Sequence, residues 1–295
     1  MHVFVTGASG WIGRAVVPEL INAGHKVIGL AHSDGSAQKI AAAGAEVLRG
    51  SIEDLEILHQ GAAAADGVIH LAFIHDFSQY VASCETDRQA IEAMGEELAG
   101  TGKPLVITSG TMLLPDAPSR SSTEEDPLAT VHPNNPRAAG EQVALALVDK
   151  NVCISIIHLP PTVHGTGDGG FMKMIIDLAR NTSYSGYVGE GMNHWPAVHV
   201  HDAARLYRLG LEGAPAGSIL HTVAEDAVPF RDIASAIGKS LGVEIGLQSI
   251  EKFGLLEFFV NRDNPTSSKI TRKALSWMLK EIGLLADIKD NDCEA

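Results

Sequence analysis

Positive charge, cysteine and long apolar runs are all scarce in this chain of 295 residues. There are 22 lysines and arginines against 36 aspartates and glutamates, so the formal net charge at pH 7 is −14. Such an acidic surface repels phosphate backbones and anionic lipids, and we expect no nucleic-acid and no membrane partner. No apolar run is long enough to cross a bilayer. A strand pattern begins at His2, which leaves no room for a signal peptide.

The cysteines are few, widely spaced and odd in number. Cys84, Cys153 and Cys293 form no CxxC pair. This pattern favours a reducing compartment, with Cys84 and Cys153 as small core residues and Cys293 in a tail. The sequence therefore predicts a cytoplasmic protein.

Short runs of valine, isoleucine and leucine alternate with longer helical stretches through the first half of the chain. We predict strands at 2–7, 26–31, 46–50, 67–72, 104–109 and 153–159, and helices at 11–23, 35–43, 53–60, 83–100 and 136–150. Apolar strands without strict alternation are covered on both faces. The pattern predicts an α/β fold with a doubly wound parallel sheet of the Rossmann type.

The segment VFVTGASGWIGRAVVPELINAG places Gly7, Gly10 and Gly13 between the first strand and the first helix. Glycines here permit a tight turn and let backbone N–H groups approach a pyrophosphate at the helix N-terminus. The spacing is GxxGxxG rather than the commoner GxGxxG, but its place in the first βαβ unit predicts a dinucleotide cofactor. The alternative is a glycine-rich turn that only packs the helix on the strand.

The end of the second predicted strand bears on the choice between NAD and NADP. A site for NAD usually has an Asp or Glu there, which binds the ribose 2′-hydroxyl. Here the strand ends in Leu30-Ala31-His32-Ser33, and Asp34 follows. His32 and Ser33 can donate hydrogen bonds to a 2′-phosphate, so we favour NADP over NAD.

Six segments stand in the order found in extended short-chain dehydrogenases/reductases, the superfamily of NAD(P)-dependent epimerases, dehydratases and reductases. They are TGASGWIG, DGVIHLA, LVITSGT, PRAAGEQ, HLPPTVHGTGD and WPAVHVHDAARLYRLGLE, and the chain resembles the family as far as DNPTSSKITRKALSW. The resemblance implies cofactor contacts from Gly7, Ser9, Gly10, Trp11, Ile12, Ser51, Ile52, Leu71 and Ala72. It also implies a homodimer through the helices at 83–100 and 136–150.

The chain after Leu159 is less regular and is predicted to form a smaller C-terminal lobe that caps the first. We assign 1–159 and 190–215 to a dinucleotide-binding domain. We assign 160–189 and 216–295 to the smaller, substrate-binding lobe.

The family's catalytic Tyr and Lys, four residues apart, are absent. None of Tyr80, Tyr184, Tyr187 and Tyr207 has a lysine four residues later. The chain therefore resembles an atypical branch of the superfamily, in which cofactor binding is expected and the ordinary proton donor is missing.

The segment PNNPRAAGE aligns Pro133 with the family's Tyr and Arg137 with its Lys. Asn135 is a plausible helix cap, with Pro136 at the first helical position. Arg137 can hydrogen-bond ribose hydroxyls, but a guanidinium does not lose its proton and is not the acid.

Two further catalytic positions of the family are also changed. By the resemblance, Gly110 stands at the place of the catalytic Ser, and Asp87 stands at the place of the orienting Asn. The resemblance thus supports cofactor binding more strongly than it supports the family's usual mechanism.

Ligands of open α/β sheets collect beyond the carboxyl ends of the strands. That rule and the second lobe predict substrate contacts at Phe77, Thr111, Asp168, Phe171, Tyr187, Asn193, Trp195 and His199. The further cofactor contacts that we predict are Ser109, Arg137, Pro160 and Thr162.

The catalytic candidates are His164, His75, Thr111 and Arg137. His164 stands where the family has an aromatic residue near the nicotinamide, and histidine titrates near neutrality. A structural, hydrogen-bonded histidine is the alternative there, and a solvated loop is the alternative for His75. Thr111 can orient a carbonyl but is too weak an acid to serve alone. His199 and His201 share a strand face, but no third ligand follows, so we predict no metal site.

Aromatic residues fall in the segments that face the second lobe, and lysine and arginine are sparse there. This favours a small apolar substrate over a nucleotide sugar. Our leading hypothesis is an NADP(H)-dependent oxidoreductase acting on a carbonyl, activated alkene or imine. The alternatives are a redox-neutral isomerase, cyclase or lyase, and a non-catalytic regulator that senses NADP.

Overall fold

The computed structural model describes residues 1–115, 119–133 and 135–290, so Cys293 lies outside the described residues. The strands are β1 (His2–Thr6), β2 (Lys26–Ala31), β3 (Glu46–Arg49), β4 (Gly67–His70), β5 (Pro104–Gly110), β6 (Cys153–Leu159), β7 (Thr162–His164), β8 (Tyr184–Tyr187), β9 (His194–His199), β10 (Ser218–His221), β11 (Glu225–Pro229) and β12 (Glu244–Leu247). The helices are α1 (Gly13–Asn22), α2 (Asp34–Ala42), α3 (Leu55–Ala63), α4 (Tyr80–Leu98), α5 (Ala138–Ala146), α6 (Phe171–Thr182), α7 (Val200–Gly213), α8 (Phe230–Leu241), α9 (Glu257–Val260), α10 (Lys269–Ala274) and α11 (Leu284–Asp290).

In the part of the chain that the structure describes, the main sheet has seven parallel strands in the order β10-β6-β5-β4-β1-β2-β3. The chain reverses its direction of travel across the sheet between β1 and β4, and this opens a crevice at their carboxyl ends. Val68, Ile69, Leu105 and Val106 in the central strands are fully buried, because helices cover both faces. The predicted doubly wound fold is confirmed.

Helices α1 and α7 pack together on one face of the sheet, and α3, α4 and α5 pack side by side on the other. Leu20 and Tyr207 belong to the core of the first face, and Met94 and Ala144 belong to the core of the second. Among the described residues, no helix has both the length and the apolarity that crossing a membrane requires.

The smaller lobe is built from two short sheets and the helices around them. One sheet has the order β11-β9-β7, and β12 pairs with β8 in the other. Helices α6, α8 and α11 pack around the buried side chains of Trp195 and Phe230. These elements lie beyond the carboxyl ends of the main sheet, because β7 follows β6 after two residues.

Our boundary at residue 216 differs from the structure. Strand β10 belongs to the main sheet, where it pairs with β6 and extends the edge. Ile219 and Leu220 pair with Ile156 and Ile157, so the apolar edge of β6 is covered by residues that we assigned to the lobe. The second segment of the lobe therefore begins after β10 rather than before it. Strand β9, which we assigned to the dinucleotide-binding domain with 190–215, pairs with β7 and β11 in the lobe.

The predicted helix starts differ from the structure by one to three residues, and two of these differences matter for the site. Helix α5 begins at Ala138, because the preceding turn uses tight hydrogen bonds from Ala138 N to Asn135 O and from Ala139 N to Pro136 O. Asn135 is therefore not its cap. Helix α4 begins at Tyr80, three residues earlier than predicted. Tyr80 therefore lies near the carboxyl ends of the main-sheet strands.

Candidate active site

The turn after β1 is formed by backbone that approaches other backbone closely. Gly7 has φ +69°, and a Cβ there would lie 2.8 Å from Ala72 N. A Cβ on Gly13 would lie 2.2 Å from Gly7 O, and Gly10 N donates to the same oxygen at 2.9 Å. The turn therefore has no room for side chains at Gly7 and Gly13, and its backbone lies open to a ligand at the start of α1. These residues fit the pyrophosphate of a dinucleotide.

A buried polar chain fixes the strand end opposite this turn. The Thr6 hydroxyl oxygen accepts hydrogen bonds from Leu71 N and Ala72 N, both at 3.2 Å, and lies 2.7 Å from His70 Nδ1. His70 Nε2 lies 3.2 Å from Asp87 Oδ1. Asp87, the residue at the family's Asn position, thus fixes the end of β4 through its contact with His70.

The far end of the crevice lies at the tips of β2 and β3. The Ser33 hydroxyl caps α2 by accepting from Ser36 N at 3.1 Å, and His32 is exposed. Arg49 pairs in register with Ala31, and its guanidinium donates to Asp34 at 2.6 Å. We did not predict Arg49, because its position beside β2 follows from strand register and not from sequence distance.

The adenine-side prediction falls on a tight turn. Ser51 N donates to Asp54 Oδ2 at 3.1 Å, and the Ser51 hydroxyl accepts from Glu53 N at 3.1 Å. Ile52 is buried beside them. The turn places Ser51 at the carboxyl end of β3, near the tip of β2.

A cavity of about 600 Å³ lies between the carboxyl ends of the sheet and the smaller lobe. Of the residues that we predicted, it is lined by Trp11, Ile12, Leu71, His75, Phe77, Ser109, Arg137, Pro160 and Phe171. Lining residues that we did not predict include Phe73, Tyr80, Met112, Leu113, Leu255 and Phe259. The walls are mainly apolar, and the polar groups gather near the ends of β4 and β5.

Arg137 is held firmly at this polar side. It donates to Thr108 O at 3.2 Å, and its guanidinium carbon lies 3.8 Å from the centre of the Phe73 ring. A cation over an aromatic face is stabilised by the ring quadrupole. The residue at the family's Lys position therefore reaches the cavity with a fixed charge.

Two titratable side chains near Arg137 are held in their neutral forms. His75 lies at the mouth, where loss of hydration and the charge of Arg137 lower its pKa. Burial raises the pKa of Tyr80 to about 12. The family's catalytic pattern, a Tyr and a Lys on one helix, does not point to Tyr80. In this chain the phenol comes from α4 and the cation, Arg137, comes from the turn before α5.

Several predicted substrate residues lie away from the cavity. The Thr111 hydroxyl is buried and donates to Asn264 Oδ1 at 2.6 Å. Trp195 is fully buried against Phe230, with ring centres 4.9 Å apart. The Asn193 amide donates to the backbone oxygens of Val260 and Arg262. These side chains hold the lobe together, and their hydrogen bonds or packing leave none of them facing the cavity.

Two further predicted contacts are also engaged elsewhere. The hydroxyl of Thr162, a predicted cofactor contact, is buried and donates to Pro196 O. Tyr187 lies under the guanidinium of Arg231, 5.4 Å from its ring centre. Neither residue lines the cavity.

His164, our first catalytic candidate, belongs to a polar cluster behind the cavity. It is buried, and its Nδ1 lies 2.8 Å from Asp287 Oδ2 on α11. The ring of His199 contacts it edge-on at 5.3 Å, and His199 also caps α7 by accepting from His201 N. Because Asp287 follows 123 positions later, no local pattern predicts this pairing.

Asp168 stands beside this cluster. Its Oδ1 accepts from Gly170 N at 2.6 Å, whereas its Oδ2 is buried without a hydrogen-bond partner. Burial raises the pKa of Asp168 to about 6. Within residues 1–115, 119–133 and 135–290, no group of three His, Cys, Asp or Glu side chains is arranged to hold a metal ion.

Comparison with known proteins gives three likenesses of different strength. The sequence profile of the NAD dependent epimerase/dehydratase family matches residues 3–220. An uncharacterized protein of Saccharomyces cerevisiae is 47% identical over 297 residues, covering 99% of each chain. The 4-hydroxy-2-methyl-3-oxo-4-farnesyl-3,4-dihydroquinoline-1-oxide ketoreductase of Stigmatella aurantiaca is 24% identical over 262 residues, which cover 85% of this chain and 76% of that protein.

The fold is shared with enzymes of known structure. The structure of MoeE5 in complex with UDP-glucose and NAD has a TM-score of 0.78 and 19% identity, covering 100% of this chain and 98% of that one. At this identity the likeness concerns the fold alone.

The glycine turn gives a first test. We expect Gly7→Ala to weaken NADPH binding by at least about tenfold, because the methyl group meets the backbone of Ala72 and forces a strained φ. Gly213→Ala is the matched control, since a Cβ there meets nothing within 4 Å. Calorimetric titration measures both, and thermal unfolding checks that the variants are folded. Parent affinity in Gly7→Ala would contradict this reading of the turn.

Asp168 gives a pH-dependent test of stability. The native state keeps its proton up to about pH 6, whereas the unfolded carboxyl has the ordinary pKa of 3.8. The native state thus binds more protons in this window, and stability falls as the pH rises through it. We expect Asp168→Asn to raise the free energy of unfolding by about 1–2 kcal/mol at neutral pH and by almost nothing near about pH 4.

Urea unfolding at the two pH values measures this difference. Asp149→Asn, at an exposed position, is the control and is expected to change stability at neither pH. A gain that persists unchanged in acid would show that the carboxyl of Asp168 is not the cause.

Proposed function

This chain belongs to the NAD dependent epimerase/dehydratase family, and we propose that it is an NADP(H)-dependent oxidoreductase acting on a small, largely apolar carbonyl, activated alkene or imine. The resemblance to extended short-chain dehydrogenases/reductases is confirmed. The observation that carries the proposal is the cavity of about 600 Å³ that opens at the carboxyl ends of β4, β5 and β6. When bound, the reduced nicotinamide supplies a hydride.

The walls of the cavity support an apolar substrate. Of the described residues that line it, only Arg137 carries a fixed positive charge, and its guanidinium is already engaged by Thr108 and Phe73. A sugar nucleotide needs cations for its diphosphate, and the walls here are aromatic and aliphatic instead. The name of the Stigmatella aurantiaca relative includes a farnesyl group and a keto reduction, which agrees with this substrate class.

Several side chains on the polar side of the cavity can supply the proton for the reduction. The lowered pKa of His75 leaves its ring neutral near pH 7. Tyr80 stays protonated and can donate, and Ser109 presents a hydroxyl at the end of β5. An imine can enter already protonated, which reduces the need for a strong acid. His164 plays no direct part in this proposal, because it is sealed behind the cavity.

The reductase proposal is tested with a substrate panel. We expect loss of nicotinamide absorbance when NADPH is mixed with apolar ketones, enones or imines, and none with UDP-glucose. Arg137→Ala should lower turnover, because the cavity loses its fixed cation. Arg88→Ala is the control, since Arg88 pairs with Glu85 and Glu92 on the surface of α4. Tight NADPH binding without turnover would instead favour a redox-neutral enzyme or an NADP-sensing regulator.

The preference for NADP over NAD is proposed from His32, Ser33 and Arg49. The Arg49 side chain is 55% exposed and pairs with the exposed Asp34, so a 2′-phosphate can compete for it at small cost. We expect Arg49→Ala to weaken NADPH binding by about tenfold and to leave NADH binding unchanged. Lys26→Ala, at the opposite end of β2, is the control. Calorimetry that finds equal losses for both nucleotides would remove Arg49 from cofactor choice.

A further inference from the structure

A row of polar side chains crosses the main sheet at the edge of the cavity. Ser109 on β5, His158 on β6 and His221 on β10 lie directly opposite one another in the strand register. Glu141 reaches the same row from α5. All four side chains are at most 5% exposed, yet Ser109 lines the cavity.

The row is joined by hydrogen bonds. The Ser109 hydroxyl donates to Glu141 Oε1, and His158 Nε2 lies 3.0 Å from the same oxygen. The ring of His221 stacks on that of His158 with centres 5.3 Å apart, and its Nδ1 donates to Ser267 O at 2.9 Å. The chain therefore runs from the cavity wall into the interior of the sheet.

The charges in this row are set by its neighbours. Burial acts to raise the pKa of Glu141, but the hydrogen bond and charge of His158, together with Ser109 and Arg137, lower it on balance. Burial lowers the pKa of His221 to about 3, so its ring is neutral. Because Glu141 is a carboxylate, His158 must donate from Nε2. The lone pairs of Ser109 are then left for the cavity.

We propose that Ser109 passes a proton between a substrate in the cavity and the buried Glu141–His158 pair. This inference rests on the proposed function and supplies the proton path that the missing Tyr and Lys leave open. When an alcohol is oxidised, its O–H bond breaks and the proton goes to Ser109 Oγ, while Ser109 gives its own proton to Glu141. The hydride from carbon leaves to the oxidised nicotinamide. Reduction runs the same transfers backwards.

The pair can store the proton without losing another contact. Among the described residues, Glu141 Oε2, His158 Nδ1 and His221 Nε2 are buried without a hydrogen-bond partner, so Glu141 Oε2 is free to take a proton. Tyr80 and His75 line the cavity too, but in the described part of the chain neither is bonded to a buried carboxylate.

Other charged groups also face the row. Arg137 lies one helical turn before Glu141, and Asp87 on α4 lies close to α5, since a Cβ on Gly140 would be 3.1 Å from Asp87 Oδ2. Asp126 acts on His221 from the loop before α5. None of these groups lies between Ser109 and Glu141, which are in direct contact.

The first test measures protons rather than turnover. NADP⁺ and NADPH are each titrated calorimetrically in buffers of different ionisation enthalpy. A cationic nicotinamide in the cavity disfavours a proton on the Glu141–His158 pair, whereas the uncharged ring of NADPH does not. We therefore expect more proton release with NADP⁺ than with NADPH, and we expect Glu141→Gln to abolish the difference. Asp287→Asn is the matched control, because Asp287 is also a buried carboxylate paired with a buried histidine, His164.

The second test uses a substrate from the panel. Ser109→Ala and Glu141→Gln should each lower kcat by about 100-fold or more, and Glu141→Asp should recover part of the loss. Ser109→Ala keeps the Glu141–His158 pair intact. Its loss of kcat therefore tests the path even if the Glu141 variants misfold. Asp287→Asn should retain kcat.

The outcomes separate the two proposals. If neither nucleotide binds, the proposed function fails and the proton path fails with it. If both bind but release equal numbers of protons, or if Glu141→Gln keeps the difference, the path is overturned while cofactor binding stands. Unchanged kcat in Ser109→Ala would overturn it as well.

Discussion

The site depends on one close approach, that of the Gly7 backbone to the peptide joining Leu71 and Ala72. A side chain at Gly7 would come within 2.8 Å of Ala72 N, and the Thr6 hydroxyl ties the two strand ends together. Because β1 and β4 leave the sheet side by side here, the crevice and the cavity share a wall, and Leu71 belongs to both. The turn for a pyrophosphate and the room for a substrate are thus consequences of the same contact.

Within the cavity, the charge of Arg137 acts on the pKa values of its polar neighbours, together with burial. Although the chain carries a net charge of −14, the described lining has this one fixed cation, held over the Phe73 ring. Its charge contributes to the lowered pKa of His75, and at Tyr80 it opposes the stronger effect of burial. The guanidinium also lowers the pKa of Glu141 behind the wall. A residue that cannot act as an acid therefore contributes to the protonation of the groups that can.

Local pattern was enough to predict the fold class, the glycine turn and the positions of Arg137, Phe77 and Phe171 at the cavity. Each of these follows from strand periodicity or from the rule that ligands meet the carboxyl ends of parallel strands. Arg49 was missed because it depends on register between β2 and β3.

The residues that were misplaced or missed in the interior depend on long-range pairing. The local sequence favours His164 as a catalytic histidine, but the side chain is buried and pairs with Asp287 on the last described helix. Glu141 was passed over as an ordinary helix residue, since only the sheet register puts His158 beside it. No spacing rule within one helix or strand contains this information.

Three buried carboxylate–imidazole pairs repeat one arrangement, in which a histidine near the end of a strand is held by an acid from a helix. They are His70 with Asp87, His158 with Glu141 and His164 with Asp287. Such pairs add little net stability, but breaking one is costly because a charge is left buried. They therefore act mainly on position, by tying β4, β6 and β7 to α4, α5 and α11. The acid of one pair, Glu141, also accepts a hydrogen bond from the Ser109 hydroxyl at the cavity wall, and the proposed proton path uses this contact.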